Sequence, residues 1–127
     1  MREPLNLLDQ WIQLINIVDI DNLLNLYDSE AILIPTFSDR ILNTSEKLRG
    51  YFETLGAYQD LTVTVHEKTV AIQDLQKDIF LLSGIYSWCF TSDGENHNFQ
   101  ARFSYLINLS KTSPILHHHS SQVPHQL

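Results

Sequence analysis

A change of hydrophobic period near Asp60 constrains this chain more than any other feature. Before it, apolar residues recur every three or four positions, and after it they alternate. In residues 5–18, Leu7, Leu8, Trp11, Ile12, Leu14, Ile15 and Val18 mark one broad helical face. Pro4 suits the first turn of that helix, where its missing N–H has no partner to lose. Asp19-Ile20-Asp21-Asn22 supplies an N-cap for a short second helix carrying Leu23, Leu24 and Leu26, which Asp28-Ser29-Glu30 ends. Ala31-Ile32-Leu33-Ile34, closed by Pro35, reads as a buried strand. Asn43 and Glu46 have capping-box spacing, and Leu48, Tyr51, Phe52 and Leu55 continue a third helix to Gly56.

Beyond Asp60, Leu61-Thr62-Val63-Thr64-Val65 alternates strictly, and residues 69–72 continue that strand or begin a neighbour. Residues 79–90 are rich in β-formers, and Asp93-Gly94 forms the core of a hairpin turn. Residues 99–109 and 115–123 complete an antiparallel set. Helices first and strands afterwards predict an α+β fold, in which N-terminal helices pack on a curved antiparallel sheet. The hollow of such a sheet is where a pocket belongs.

At 127 residues the chain suits one domain over residues 1–127, because two cores would each be too small to bury enough apolar surface. Fifteen acidic residues against eight basic ones give a net charge of −7, which repels a phosphate backbone and argues against nucleic acid as a partner. No stretch approaches the roughly 18 apolar residues of a membrane span. Residues 5–18 are too interrupted by polar side chains for a signal-peptide core, so a cytoplasmic protein is expected. The lone Cys89 has no internal disulfide partner and reads as a small buried apolar residue.

The run His117-His118-His119-Ser120-Ser121 is the most unusual stretch. Alternation places His117, His119 and Ser121 on one face and His118 and Ser120 on the other. The former set, two imidazoles and a hydroxyl, is expected inside the hollow of the sheet. Competing readings are an expression tag, solvated or core-satisfied histidines, and a metal site that lacks a clear third and fourth ligand, which His66, Glu67 or Asp74 would supply only by accident of folding. On the preceding strand Asn98, Gln100, Arg102 and Ser104 share a face, opposite Phe99, Ala101, Phe103 and Tyr105. Arg102 points into the concavity as a cation for an anionic ligand if the aromatic face packs elsewhere, and into water otherwise. Phe99, Phe103 and Tyr105 left exposed would favour burial in a homodimer. Thr36 and Tyr51 are polar residues beside apolar neighbours.

Several segments together resemble a known family. Ile34-Pro35-Thr36-Phe37-Ser38-Asp39-Arg40, Tyr51-Phe52, Gln100-Ala101-Arg102-Phe103-Ser104-Tyr105, and residues 117–121 with Val123-Pro124 are similar in kind and order to iota-class carbonic anhydrases. These belong, with the calcium/calmodulin-dependent protein kinase II association domain, to the nuclear transport factor 2-like superfamily. The His-x-His-x-Ser spacing is shared with the association domain, whereas Pro-Thr-x-Ser tilts the resemblance toward the anhydrases. It implies a nuclear transport factor 2-like fold and a site without metal or other cofactor, in which Thr36, Tyr51, His119 and Ser121 bind carbon dioxide or bicarbonate. Arg102 and His117 are then candidate substrate contacts. The chain departs from the family at Lys111-Thr112-Ser113-Pro114 and Ile72-Gln73-Asp74-Leu75-Gln76, which alters the frame around the pocket.

The expected activity is metal-free reversible hydration of carbon dioxide, with neutral His119 accepting the water's proton and the hydroxyls orienting water and bicarbonate. The alternative is a non-catalytic domain of the association type that oligomerises or binds a small carboxylate. An isomerase or cyclase would need a carboxylate base in a deep pocket, and none is evident near the matched positions.

Overall fold

The computed structural model describes residues 3–124. Helix α1 (Pro4–Asn16) buries Leu7, Leu8, Trp11 and Ile15, as its apolar spacing predicts. It stops short of residue 18 because Val18 turns the chain with a φ of 56°, an uncommon conformation for a β-branched residue. Helix α2 (Ile20–Leu24) is capped by Asp19, whose carboxylate accepts the Asn22 N–H. Strand β1 (Tyr27–Ile34) begins four residues before Ala31. Helix α3 (Ser45–Gly56) is capped by Thr44, which accepts the Lys47 N–H, so the cap lies one residue beyond Asn43. Gly56 matters at the end of α3, because a Cβ there would come within 2.5 Å of Val18 Cγ1.

The remaining strands are β2 (Gln59–Val65), β3 (Ala71–Asp74), β4 (Ile79–Ser92), β5 (Glu95–Asn108) and β6 (Ile115–Gln122). They form one sheet in the order β1-β6-β5-β4-β2, with β3 also paired to β4. The hairpin between β4 and β5 runs without slip from Ile79 opposite Asn108 to Ser92 opposite Glu95. It turns at Asp93 and Gly94, whose φ values of 52° and 76° suit a primed turn. The sheet is mixed rather than wholly antiparallel, since β1 runs parallel to β6. A chain segment joined to its neighbour through four intervening strands has no hairpin to force the antiparallel direction.

One face of the sheet packs on the helices. Tyr86, Trp88, Phe103, Tyr105, Ile107 and Ile115 are all buried there. Trp11 of α1 stands at the centre, stacked on Tyr86 at 5.8 Å and edge-on to Trp88, Tyr105 and His118 at 6.0, 5.6 and 5.3 Å. Phe103 and Tyr105 therefore fill the core and leave no exposed aromatic patch, which corrects the basis first given for a homodimer. No helix among the described residues covers the opposite, convex face. Cys89 lies there half-buried between Thr62 and Asn98, not in the core.

Candidate functional site

The last strand decides the site, and a β-bulge decides the strand. Ile107 faces Ile115, but the next residue back on β5, Leu106, faces His117, so Leu116 has no opposite number. Ile115 points into the core, and simple alternation from it would send His117, His119 and Ser121 inward as well. The extra residue reverses the parity. His118 and Ser120 point inward and are 2% and 3% exposed. His119, expected in the hollow, is exposed on the convex face, with Ser121 beside it and His117 half-buried. Ser121 Oγ and His119 Nε2 bond each other at 2.7 Å. Arg102, opposite Ser121, is also exposed on that convex face and does not reach the concavity.

Inside, the structure brings Thr36 and Tyr51 together with His118 and Ser120. They line a cavity of about 10 Å³ with Trp11, Tyr86, Trp88 and neighbours. Pro35 ends β1 and carries Thr36 over the cavity, where the Thr36 and Ser120 hydroxyls bond each other. Tyr51 projects from α3 and accepts the Phe37 N–H at 3.3 Å.

The hydrogen bonds in this cluster all run one way. Trp11 Nε1–H donates to the Tyr27 hydroxyl at 3.0 Å, which leaves the Tyr27 O–H to donate to His118 Nδ1 at 2.9 Å. Tyr86 donates to Ser120 Oγ at 2.7 Å, so at 3.2 Å it can only accept from His118 Nε2–H. The network thus assigns the neutral tautomer with hydrogen on Nε2. A second proton on Nδ1 would leave the Tyr27 O–H buried without an acceptor. Burial lowers the pKa of His118 well below 6.5, with His117 and His119 adding to the effect. Its ring also stacks on Tyr105 at 3.9 Å. Burial raises the hydroxyl pKa of Tyr27, Tyr51, Tyr86 and Tyr105, so all four stay neutral. Trp88 Nε1 lines the same cavity and has no hydrogen-bond partner among the described residues.

Chemically this is a buried polar cluster in which His118, Ser120 and Thr36 are hydrogen-bonded, while Trp88 Nε1 and the Tyr105 hydroxyl have no partner among the described residues. Its cavity is at the lower limit for one water molecule, and no Asp or Glu lines it. Among the described residues no three His, Cys, Asp or Glu side chains gather as metal ligands. His66, weighed above as a ligand, instead bonds Ser87 Oγ at 2.7 Å. Tyr27, Tyr86, His118 and Ser120 are the members that sequence reasoning missed. A signal existed for two of them, because Tyr105 shares the face of Phe103 and lies directly opposite His118.

Solved structures agree with this architecture. A calcium/calmodulin-dependent protein kinase II association domain from Xanthomonas campestris superposes with a TM-score of 0.84 at 23% identity, covering 94% of this chain and 85% of its own. A scytalone dehydratase from Novosphingobium aromaticivorans gives 0.80 at 5% identity, covering 96% and 85%. An epoxide hydrolase/cyclase-like enzyme of salinomycin pyran-ring formation gives 0.73 at 10% identity, covering 93% and 88%. At such identities these likenesses speak for the fold, which is nuclear transport factor 2-like. No curated protein matches the sequence significantly. The sequence model of the calcium/calmodulin-dependent protein kinase II association domain matches residues 1–124, and the chain belongs to that family.

Proposed function

We propose that this chain is a self-associating domain, in which two copies meet through the convex face of the sheet to form a homodimer. The observation that carries the reading is the character of that face. Ile32 (37% exposed) and half-buried Ile34, Leu81, Ile85 and Leu106 lie on it with no covering layer among the described residues. Arg102, His117, His119 and Ser121 form a polar patch among them, so the residues first placed in a catalytic pocket become candidate contacts at a subunit interface. An apolar centre with a polar surround is the usual composition of such a surface, and a two-fold axis lets one face serve both copies. The association-domain family and the Xanthomonas campestris neighbour support the same reading.

Sedimentation equilibrium at about 50 µM, where an interface of standard size holds, is expected to give a dimer or larger assembly. Leu106→Glu and Ile85→Glu should reduce it to monomer without unfolding it. A monomeric native chain would sink the proposal.

Carbon dioxide hydration is the second reading, and the meeting of Thr36 and Tyr51 at one cavity is the feature in its favour. The imidazole at that cavity is His118, whose Nδ1 lone pair is occupied by Tyr27 and whose Nε2 carries hydrogen. No ring nitrogen is left to take a proton from water. Stopped-flow carbon dioxide hydration is expected to match buffer. A rate above buffer that survives chelator would restore the enzymatic reading.

A further inference from the structure

We propose that the open cleft between α3 and residues 37–42 binds a small carboxylate with an apolar body, held at its charged end by Arg40 and Lys47. The cleft has a volume of about 460 Å³, inside the range of small-molecule sites. Its walls include Phe37, Ile41, Tyr51 and Tyr58. Two of these are conspicuously bare, Ile41 at 61% and Tyr58 at 39% exposed. Phe37 packs edge-on against Trp88, Phe90 and Phe99 at the inner end, and Tyr51 is the one lining residue that the cleft shares with the buried cavity.

Charge identifies the head group. This chain has only eight Lys and Arg residues and a net charge of −7, yet two of those cations line one cleft with no Asp or Glu in its lining. Asp39 lies on the same loop but outside the lining. Two of the other cations are neutralised: Arg49 pairs with Asp21 at 2.8 Å and Lys111 with Asp28 at 2.7 Å. Arg40 makes no ion pair among the described residues, and Lys47 Nζ donates to the neutral Asn43 Oδ1 at 3.2 Å. Lys47 also sits in the first turn of α3, where the positive end of the helix dipole disfavours a cation. A bound carboxylate relieves both costs, because the Arg40 fork and the Lys47 ammonium suit its two oxygens. The Tyr51 hydroxyl, neutral and already accepting the Phe37 N–H, still has its own hydrogen to give.

The test compares 3-phenylpropionate with 3-phenylpropan-1-ol, which share a body and differ in charge, by ¹H–¹⁵N titration of the whole chain. The carboxylate is expected to bind at least about tenfold more tightly than the alcohol, as one or two charge-assisted hydrogen bonds allow. The largest shifts should fall at Arg40, Ile41, Lys47 and Tyr51. Arg40→Gln combined with Lys47→Gln should erase the preference and leave the alcohol affinity unchanged, whereas Arg102→Gln should leave the preference intact. Equal affinities, no carboxylate binding, or a preference that survives the double substitution would each overturn the proposal. The cleft lies on the helical side, away from the convex face, so this outcome is independent of whether copies associate.

Discussion

Two neighbouring pairs on one strand have opposite fates. His118 and Ser120 are locked between two tyrosines, a tryptophan and a threonine, whereas His119 and Ser121, one position along, bond only each other at the surface. The same residue types therefore act as core in one register and as contact surface in the other. Chemistry follows the face and not the composition of the motif.

The largest test of this contrast is His118→Ala against His119→Ala in chemical denaturation. Removing His118 orphans the Tyr27 and Tyr86 hydroxyls and opens a cavity beside Tyr105, which should cost about 3 kcal/mol. His119→Ala should stay within about 0.5 kcal/mol. Equal losses would mean that the two histidines are not on opposite faces.

Acid should reveal the same asymmetry. His118 is neutral when folded because burial holds its pKa down, yet once unfolded it takes up a proton near pH 6.5. The unfolded state then binds more protons below that pH, so the stability contribution is intact above pH 6.5 and lost as pH falls. The loss should grow as pH falls further below 6.5. The His118→Ala variant should lack it, and an unchanged slope in that variant would point to other groups.

A smaller step comes from the serines. Ser120→Ala leaves the Tyr86 hydroxyl without its acceptor and should cost about 1 kcal/mol, while Ser121→Ala should be nearly silent. Smallest of all is Arg102→Gln, which should change monomer stability by less than about 0.5 kcal/mol. Its effect should appear instead in the association measured by sedimentation, where a half-buried face meets its mate.

The fold was largely legible in the residues. Pro4, the Leu7-Leu8-Trp11-Ile15 stripe, the Asp19 cap, the Asp93-Gly94 turn and the long alternating strands each carry a local signal with a mechanism behind it. The direction of β1 was not legible, since parallel pairing with β6 depends on where two segments over 80 residues apart come to rest. The site was half legible. Thr36 and Tyr51 stood out as polar residues in apolar company, and they do line the buried cavity, but their partners come from the other face of the histidine run.

The sequence by itself determined the order of helices and strands, the apolar helical face on which Trp11 lies, and the alternation that separates His118 from His119, because each of these follows from residues a few positions apart. Only the tertiary structure decided which of the two histidines lies inside. One unmatched residue, Leu116, flips every side chain after it, and whether a strand bulges is settled by the packing of Ile107 and Ile115 against the core. No local pattern encodes that choice, because the two registers are equally good strands until the helices close over one face.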